Sequence, residues 1–357
     1  MTYKKKLEEL SKIPQVVHGG KKNSEDKLDF SSNINPHGPP KILIDLLNAN
    51  ITKNKISEYP DNSLINLKKS LAEYVGVNQN QIIPSNGSLE FIKLFADTFV
   101  EPKSEVIIPS PSFGEYEKLV LIKGGTPTSV SLKKGQINID EILRKISDRT
   151  SCIFLTNPNN PYGTVVKKKG LIDLVEILNK KDIPILIDEA FIEFSEENSL
   201  VSLTNSFDNL IVSRSLTKII GVAGIRLGFG VSSERVSKVL DNMRLTWNIN
   251  AFAKIIGENI IKCTDFVNET ILSISKEREF LFERLKALEL KVYPSNANFL
   301  FIEIDDSPNI KSQLYEKGIL VRDCSSFRGI DSGIRIAVRT RKENEILIGA
   351  LAELLHG

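Results

Sequence analysis

A chain of 357 residues, 41% apolar and 26% charged, is long enough for one large or two moderate domains with a sizeable core. Lysine plus arginine (47) and aspartate plus glutamate (45) nearly cancel, leaving +2, which excludes a global electrostatic case for nucleic acid or a membrane as partner; any anion site must be local. Cys152, Cys263 and Cys324 are scattered without metal-ligand spacing and no apolar run approaches a membrane span, so reduced thiols, no bound metal and a cytoplasmic location are expected.

The opening MTYKKKLEEL has charge but no apolar core, which predicts a short charged helix and no signal peptide. In VVHGGKKN, His18 precedes Gly19 and Gly20 in a flexible loop able to face an anion, although an ordinary turn has the same composition. LDFSSNINPHGPP, Leu28 to Pro40, reads as an extended, ordered arm in which Asn33 and Asn35 alternate before Pro36. Helical spacing predicts one helix from Pro39 to about Asn48 and another in EYPDNSLINLKKSLAEYVGV with Asp61 or Ser63 as N-cap; Tyr59-Pro60 lies in the loop between them.

From Gln81 the pattern becomes strand, loop, helix, repeated. Asn86-Gly87-Ser88 opens an amphipathic helix, where free N–H groups favour an anion, or simply form an N-cap. The strand Glu105 to Pro109 runs into PSPSFGEY, whose Phe113 packs in the core or stacks on a flat ring. A helix and strand within Leu119 to Val130 and a helix in NIDEILRKISDRT follow. The strand Cys152 to Thr156 enters NPNNPYG, a turn over-determined by two prolines and three asparagines that holds Asn160 rigidly. After a helix at Leu171 to Asn179, the apolar run of IPILIDEAFIEF ends in Asp188-Glu189, and a carboxylate at the end of a buried strand must be solvated, paired or functional.

The strand Asn209 to Ser213 then leads into SRSLTKIIGVAGIRLGFG, Ser213 to Gly230. It presents Lys218 between hydroxyl-bearing residues, Ser215 and Thr217 among them, with Arg226 after Gly221 and Gly224. A lone Ser-x-x-Lys is also what a solvated turn contains. Continuous apolar strands alternating with helices predict a mainly parallel sheet, whose ligands bind beyond the carboxyl ends of the strands. Phe113, Asn160, Asp188 and Lys218 all fall there, so one rule gathers them into one cleft. After Trp247-Asn248-Ile249-Asn250, helix is predicted to about Leu288, followed by the short strands of LKVYPSNANFLFIEI, GILVRDCS and GIRIAVRTRKENEILIGALAELL. The expected division is an arm at 1–38, a large domain at 39–255 and a small α+β domain at 256–357.

Pyridoxal 5′-phosphate needs an amine for its aldehyde, a carboxylate at its ring nitrogen, a donor at its phenolic oxygen, a stacking ring and a phosphate cup. Lys218, Asp188, Asn160, Phe113 and, for the cup, Gly87, Ser88, Ser215 and Arg226 supply every part. In that set NPNNPYG, IDEAF, SRSLTK and GIRLGFG, in this order and spacing, resemble the class I/II aminotransferases, fold type I of the pyridoxal-phosphate enzymes, over nearly the whole chain. The resemblance implies an α/β fold: a large domain with a seven-stranded, mostly parallel sheet and a smaller α+β domain. It also implies a homodimer with sites at the interface, where Tyr59 reaches the partner's cofactor phosphate. Leu89, Ala190 and Thr217 join the cofactor contacts by the same resemblance.

Two groups within the family compete, the histidinol-phosphate aminotransferases and the threonine-phosphate decarboxylases of cobalamin synthesis. HGG at His18, DFSSNINPHG, DEAFIEF, RSLTK, WNINAFA, VRDC and RIAVR are more similar to the second; the first usually carry tyrosine at Phe191 and lack Arg339. Tyr162 departs from the threonine usual in NPxG. The expected reaction is decarboxylation of L-threonine O-3-phosphate with Lys218 as catalytic residue, and a phosphorylated amino acid needs two or more guanidiniums. Arg322, Arg335 and Arg339 are expected to face the cleft. The resemblance makes Arg335 the carboxylate-binding arginine of the aminotransferases, while in the decarboxylase reading the arginines with His18 and Asn33 hold the phosphate, which arginine takes which anion being left open. Surface arginines of a β-rich domain are the plainer alternative. Histidinol-phosphate transamination and a catalytically silent cofactor-binding sensor are the competing functions, the second without a visible DNA-binding module. Serine phosphate also competes, because one methyl group is worth only ~1–3 kcal/mol of discrimination.

Overall fold

The computed structural model describes residues 2–20 and 26–356. The arm contributes a short strand β1 (Leu28–Asp29), and the large sheet is built from β2 (Ile82–Ser85), β3 (Glu105–Ser110), β4 (Thr126–Ser131), β5 (Thr150–Thr156), β6 (Ile185–Asp188), β7 (Leu210–Ser215) and β8 (Gly228–Val231). Their order is β2-β8-β7-β6-β5-β3-β4, with every pair parallel except those that β8 makes with β7 and β2. All residues of β2, β6, β7 and β8 are buried, which is why residues 185–187 and 210–212 read as unbroken apolar runs. β8 can lie this close only as glycine at its first position: a Cβ on Gly228 would stand 2.4 Å from the Ser88 amide nitrogen.

Alternation along the strands sends each side chain to one of two cores. Ile185, Ile187, Leu210 and Val212 pack on one face with the helix Ile65–Val75. Leu186 and Ile211 face the other, against Phe91 and Phe95 of the helix Ser88–Phe99. Asp188 therefore shares the face of Leu186, beside Tyr116, while Glu189 emerges on the opposite face beside Arg214.

The helix Thr264–Ala287 begins in the large core through Val267 and ends in a second core through Ile274, Leu281 and Leu285. That second core backs a sheet of β9 (Lys291–Val292), β10 (Phe299–Glu303), β12 (Arg322–Asp323) and β13 (Ile334–Ala337) in the antiparallel order β12-β13-β10-β9, and β11 (Ile319–Leu320) pairs in parallel with β1 of the arm. Tyr162 joins the two units: its ring meets Tyr293 at 4.9 Å and Phe301 at 4.6 Å, both edge-on. Neither Asp61 nor Ser63 caps the helix Ile65–Val75. Leu64 precedes it in a left-handed turn (φ 52°), and Asp61 accepts from the amide and hydroxyl of Ser63 in a turn of its own. Among the described residues no helix is long and apolar enough to cross a membrane.

Behind the sheet lies a buried ionic cluster. The guanidinium of Arg214 donates to Glu189 at 2.9 Å and to Glu196 at 3.0 Å, and Glu189 also accepts from the Ser199 hydroxyl and the Leu200 amide. Glu193 is 3.9 Å from Arg214 and makes no hydrogen bond among the described residues, so burial outweighs the attraction of Arg214 and pushes its carboxyl up to about 7. The unfolded chain releases this proton near 4.5 and the folded chain near 7, so as pH rises between those values the folded state loses stability. Glu193→Gln should remove that loss, matching the parent near pH 5 and exceeding it by about 1–3 kcal/mol at pH 8. Urea unfolding midpoints at the two pH values check it; an equal difference at both means that Glu193 is ionised throughout.

Candidate active site

With β8 alone reversed, the carboxyl ends of β3, β5, β6 and β7 meet the amino end of β8 along one edge of the sheet. A cavity of about 850 Å³ opens there, walled on the far side by the arm and by the segment Ser325–Ile330. Lys218 enters it from the single helical turn Leu216–Ile219 that follows β7. Its amine makes no hydrogen bond or ion pair among the described residues, and burial, with the charges of Arg335 and Arg226, draws it down to about 8 against the opposing pull of Asp188.

Asp188 ends β6 with its carboxylate buried. Oδ2 accepts from the Tyr116 hydroxyl at 2.6 Å and Oδ1 from the Ala190 amide at 3.2 Å. Burial raises it to about 6, while Tyr116, the Ala190 amide, Ser213 and Lys218 act in the opposite direction. Phe113 lines the cavity with its ring edge-on to Tyr116 at 5.6 Å.

The cup for an anion lies beside them. Gly87 (φ 73°) turns the chain into the helix Ser88–Phe99, and a Cβ on it would stand 2.3 Å from Arg226 Nη2, so the glycine makes room for the guanidinium. Helix N–H groups, the Arg226 fork and the hydroxyls of Ser215 and Thr217, 2.9 Å apart, face one space together with Leu89. Arg226 has no carboxylate partner among the described residues. An amine drawn down to about 8, an adjacent carboxylate and an anion cradle fit a phosphorylated aldehyde with a basic ring nitrogen.

The opposite wall is cationic. Arg335, buried on β13, donates to Asn160 Oδ1 at 2.6 Å and to the Ser31 carbonyl at 2.9 Å, lies over the Phe299 ring, and keeps an unpartnered, buried Nε. Arg322, buried on β12, donates to the Val17 carbonyl at 2.9 Å and the Ser326 hydroxyl at 2.8 Å. Neither forms an ion pair among the described residues, and burial lowers the proton affinity of both. His18 Nε2 is 2.9 Å from Glu115, with the imidazole 5.8 Å from Phe113. Asn33 is buried at the cavity wall and its Oδ1 has no partner among the described residues. Phe191 sits edge-on to Phe299 at 5.0 Å.

One expected residue stands elsewhere. Arg339 does not face the cavity: Glu343, four residues on, takes its guanidinium at 2.6 and 3.0 Å, and Nη1 donates to the Asp29 carbonyl. Its charge is spent within the small unit, which corrects the expectation that it faces the cleft. Tyr59 is 76% exposed and stacks on Trp247 at 4.3 Å, outside this cavity.

Sequence reasoning passed over Tyr116 and Thr156, whose hydroxyls lie 2.8 Å apart beneath Asp188. The available signal was the spacing in PSPSFGEY: Phe113 and Tyr116 are three apart and share a face as the helix Glu115–Ile122 begins. It also passed over Arg328, which pairs with Glu117 across the mouth of the cavity.

Comparison with known proteins adds the following. The profile of the family described as aminotransferase class I and II matches residues 25–351. A protein of Caldanaerobacter subterraneus subsp. tengcongensis, provisionally named threonine-phosphate decarboxylase, is 36% identical over 98% of this chain and 96% of its own length. Histidinol-phosphate aminotransferase of Thermoanaerobacter pseudethanolicus is 34% identical over 91% of this chain and 92% of its own. The crystal structure of histidinol-phosphate aminotransferase from Clostridium acetobutylicum superposes with a TM-score of 0.85 at 31% identity, over 92% of this chain and 99% of that one.

The state of Lys218 is directly measurable. Covalent capture of pyridoxal 5′-phosphate by the free protein should rise with pH through a midpoint near 8, because the neutral amine is the nucleophile and burial has lowered its proton affinity. An absorbance titration reads it, and Lys218→Ala should remove the signal. A midpoint above 10, the range of a solvated lysine, would show that the amine is not desolvated. Gly87→Ala should displace Arg226 and weaken the phosphate's hold by about tenfold.

Proposed function

Because the chain belongs to the aminotransferase class I and II family, whose members bind pyridoxal 5′-phosphate, we propose that it decarboxylates L-threonine O-3-phosphate to (R)-1-amino-2-propanol O-2-phosphate. The observation that carries this reading is the pair of buried guanidiniums, Arg322 and Arg335, each bonded among the described residues only to neutral acceptors and each facing the cavity. A buried cation without a counter-ion is costly, so each calls for an anion from the ligand. Threonine phosphate brings two, a phosphate and a carboxylate. The 36% identity to a protein provisionally named for this activity points the same way.

The chain's residues fit the cofactor. Lys218 would take its aldehyde, Gly87, Ser88, Ser215, Thr217 and Arg226 its phosphate, Asp188 its ring nitrogen, Asn160 its phenolic oxygen and Phe113 its ring face. When bound, the cofactor supplies an electron sink for the pair released at the substrate's Cα. The arginines choose the bond. An anion anchored at Arg322 and another at Arg335 fix the substrate at two points, and rotation about that line determines whether Cα–COO⁻ or Cα–H stands across the ring. Asn33, buried with an unpartnered oxygen, and Phe191 border the same space and limit that rotation. Lys218, whose amine burial draws down to about 8 in the free protein, would be the group that delivers the proton replacing carbon dioxide at Cα.

The enzyme is proposed to act as a homodimer. The exposed pair Tyr59 and Trp247, with Leu245 at 71% and Ile65 at 59% exposure, gives the large unit an apolar face suited to a second copy. Cys152, Cys263 and Cys324, all free and buried, suit a reducing, cytoplasmic setting. Histidinol-phosphate transamination is the second reading, favoured by the relatives of that name; there the second guanidinium would serve the keto-acid partner instead.

Carbon dioxide release from L-threonine O-3-phosphate with no keto acid present, run beside 2-oxoglutarate-dependent transamination of histidinol phosphate, separates the two. Release without keto acid is expected; glutamate formation alone would overturn the proposal, and neither activity with cofactor still bound would favour the silent sensor. Arg322→Met and Arg335→Met should each raise KM at least about tenfold. Arg339→Met should lower the melting temperature and leave KM within about twofold, since its partners are Glu343 and the arm.

A further inference from the structure

Resting on the cofactor reading above, we propose that Tyr116 is a positioning residue for Asp188. Its single hydroxyl proton, directed by Thr156, holds the carboxylate charged and leaves Oδ1 as the oxygen offered to a protonated ring nitrogen. Tyr116 has two oxygen partners, Asp188 Oδ2 at 2.6 Å and Thr156 Oγ1 at 2.8 Å, and one proton to give. A carboxylate can only accept, whereas the threonine hydroxyl can rotate and donate. The proton of Tyr116 therefore goes to Asp188 and that of Thr156 goes to Tyr116, giving a chain with one direction.

The geometry keeps the hydroxyl from leaving. The Tyr116 ring is fully buried, stacked on Phe154 at 5.2 Å and 15°, and met edge-on by Phe113. Burial, together with the neighbouring negative charge, holds the phenol far above its usual range, so it stays a donor at every working pH. The other groups facing Asp188 are the Ala190 amide just beyond β6, Ser213 on β7 and the Lys218 amine from the helical turn after β7. Tyr116 and Thr156 complete the set from the first helical turn after β3 and from β5. Of these, Tyr116 makes the shortest bond to the carboxylate. Without it a buried acid that already resists ionisation would resist further, and a neutral acid does not anchor a cationic ring nitrogen.

The test uses pyridoxamine 5′-phosphate, which carries the ring and the phosphate but no aldehyde, so that capture by Lys218 does not enter. Its affinity for the full chain is measured by fluorescence from pH 5 to 8.5, with thermal unfolding as a check on folding; the ligand's own ionisations are common to all variants and cancel. For the parent, affinity should fall as pH drops through about 6. Tyr116→Phe should move that fall upward by about half a unit or more and weaken binding about threefold or more at pH 5, with little change at pH 8.5. Thr156→Val should move it the same way by less, and decides the question alone if Tyr116→Phe does not fold. An acid limb unmoved in a folded variant overturns the inference. Failure of the parent to bind overturns the cofactor reading, and the inference with it.

Discussion

The fold carries a carboxylate to the end of a strand buried along its whole length, and the groups around Asp188 oppose the burial that raises it to about 6. Asp188 follows three apolar residues of β6, between β5 and β7, so neighbouring protein groups, the Ala190 amide among them, must compensate its charge. The alternation that buries Leu186 on one face places Asp188 on that same face, toward Tyr116 and the cavity. The same alternation sends Glu189 through the sheet to Arg214. Two adjacent acids thus have separate fates: one is locked into a structural ion cluster, the other is held by hydroxyls and an amide and remains open to a ligand.

The reversal of β8 serves that arrangement. Were β8 parallel, its amino end, and with it the turn bearing Arg226, would leave the ligand edge of the sheet. Running it backwards between β2 and β7 brings Arg226, Gly87 and Ser215 together, and the absence of a Cβ at Gly228 lets β8 approach the start of the helix Ser88–Phe99. The anion cup is therefore a product of topology as much as of composition. The small unit adds its guanidiniums from β12 and β13, and Asn160 links them to the large unit through its bond to Arg335, beside the aromatic junction of Tyr162 with Tyr293 and Phe301. The departure at Tyr162 thus fills a contact between the units and leaves Asn160 in place.

Much of this was legible in the sequence wherever a single local rule was sufficient. Unbroken apolar runs identified the buried strands, and the tendency of ligands to gather beyond their carboxyl ends brought Phe113, Asn160, Asp188 and Lys218 together. The rule failed where an outcome depended on partners distant or unweighed. Asp61 has the chemistry of an N-cap, yet the chain spends it on Ser63 because Leu64 takes the left-handed turn at which the helix begins. Arg339 has the chemistry of a phosphate ligand, yet Glu343 and the arm claim it. Tyr116 went unremarked because a buried tyrosine is ordinary core; only the pairing of β5 with β6 puts Thr156 and Asp188 within reach of its hydroxyl.

The two ionisable groups at the centre explain why such supporting contacts matter. Burial moves Asp188 up to about 6 and Lys218 down to about 8, toward each other. Between those values the acid is charged while a usable share of the amine is neutral, which is the pair of states required of a ring anchor and a nucleophile. The window is narrow on its acidic side, where it depends on each donor that Asp188 keeps. On its basic side it depends on Arg226 and Arg335, whose charges hold the amine down and which are the anion sites of the proposed function. An anion seated on either arginine screens that charge and lets Lys218 hold its proton more tightly. In the proposed reaction, phosphate and carboxylate binding would thereby be coupled to the protonation of Lys218.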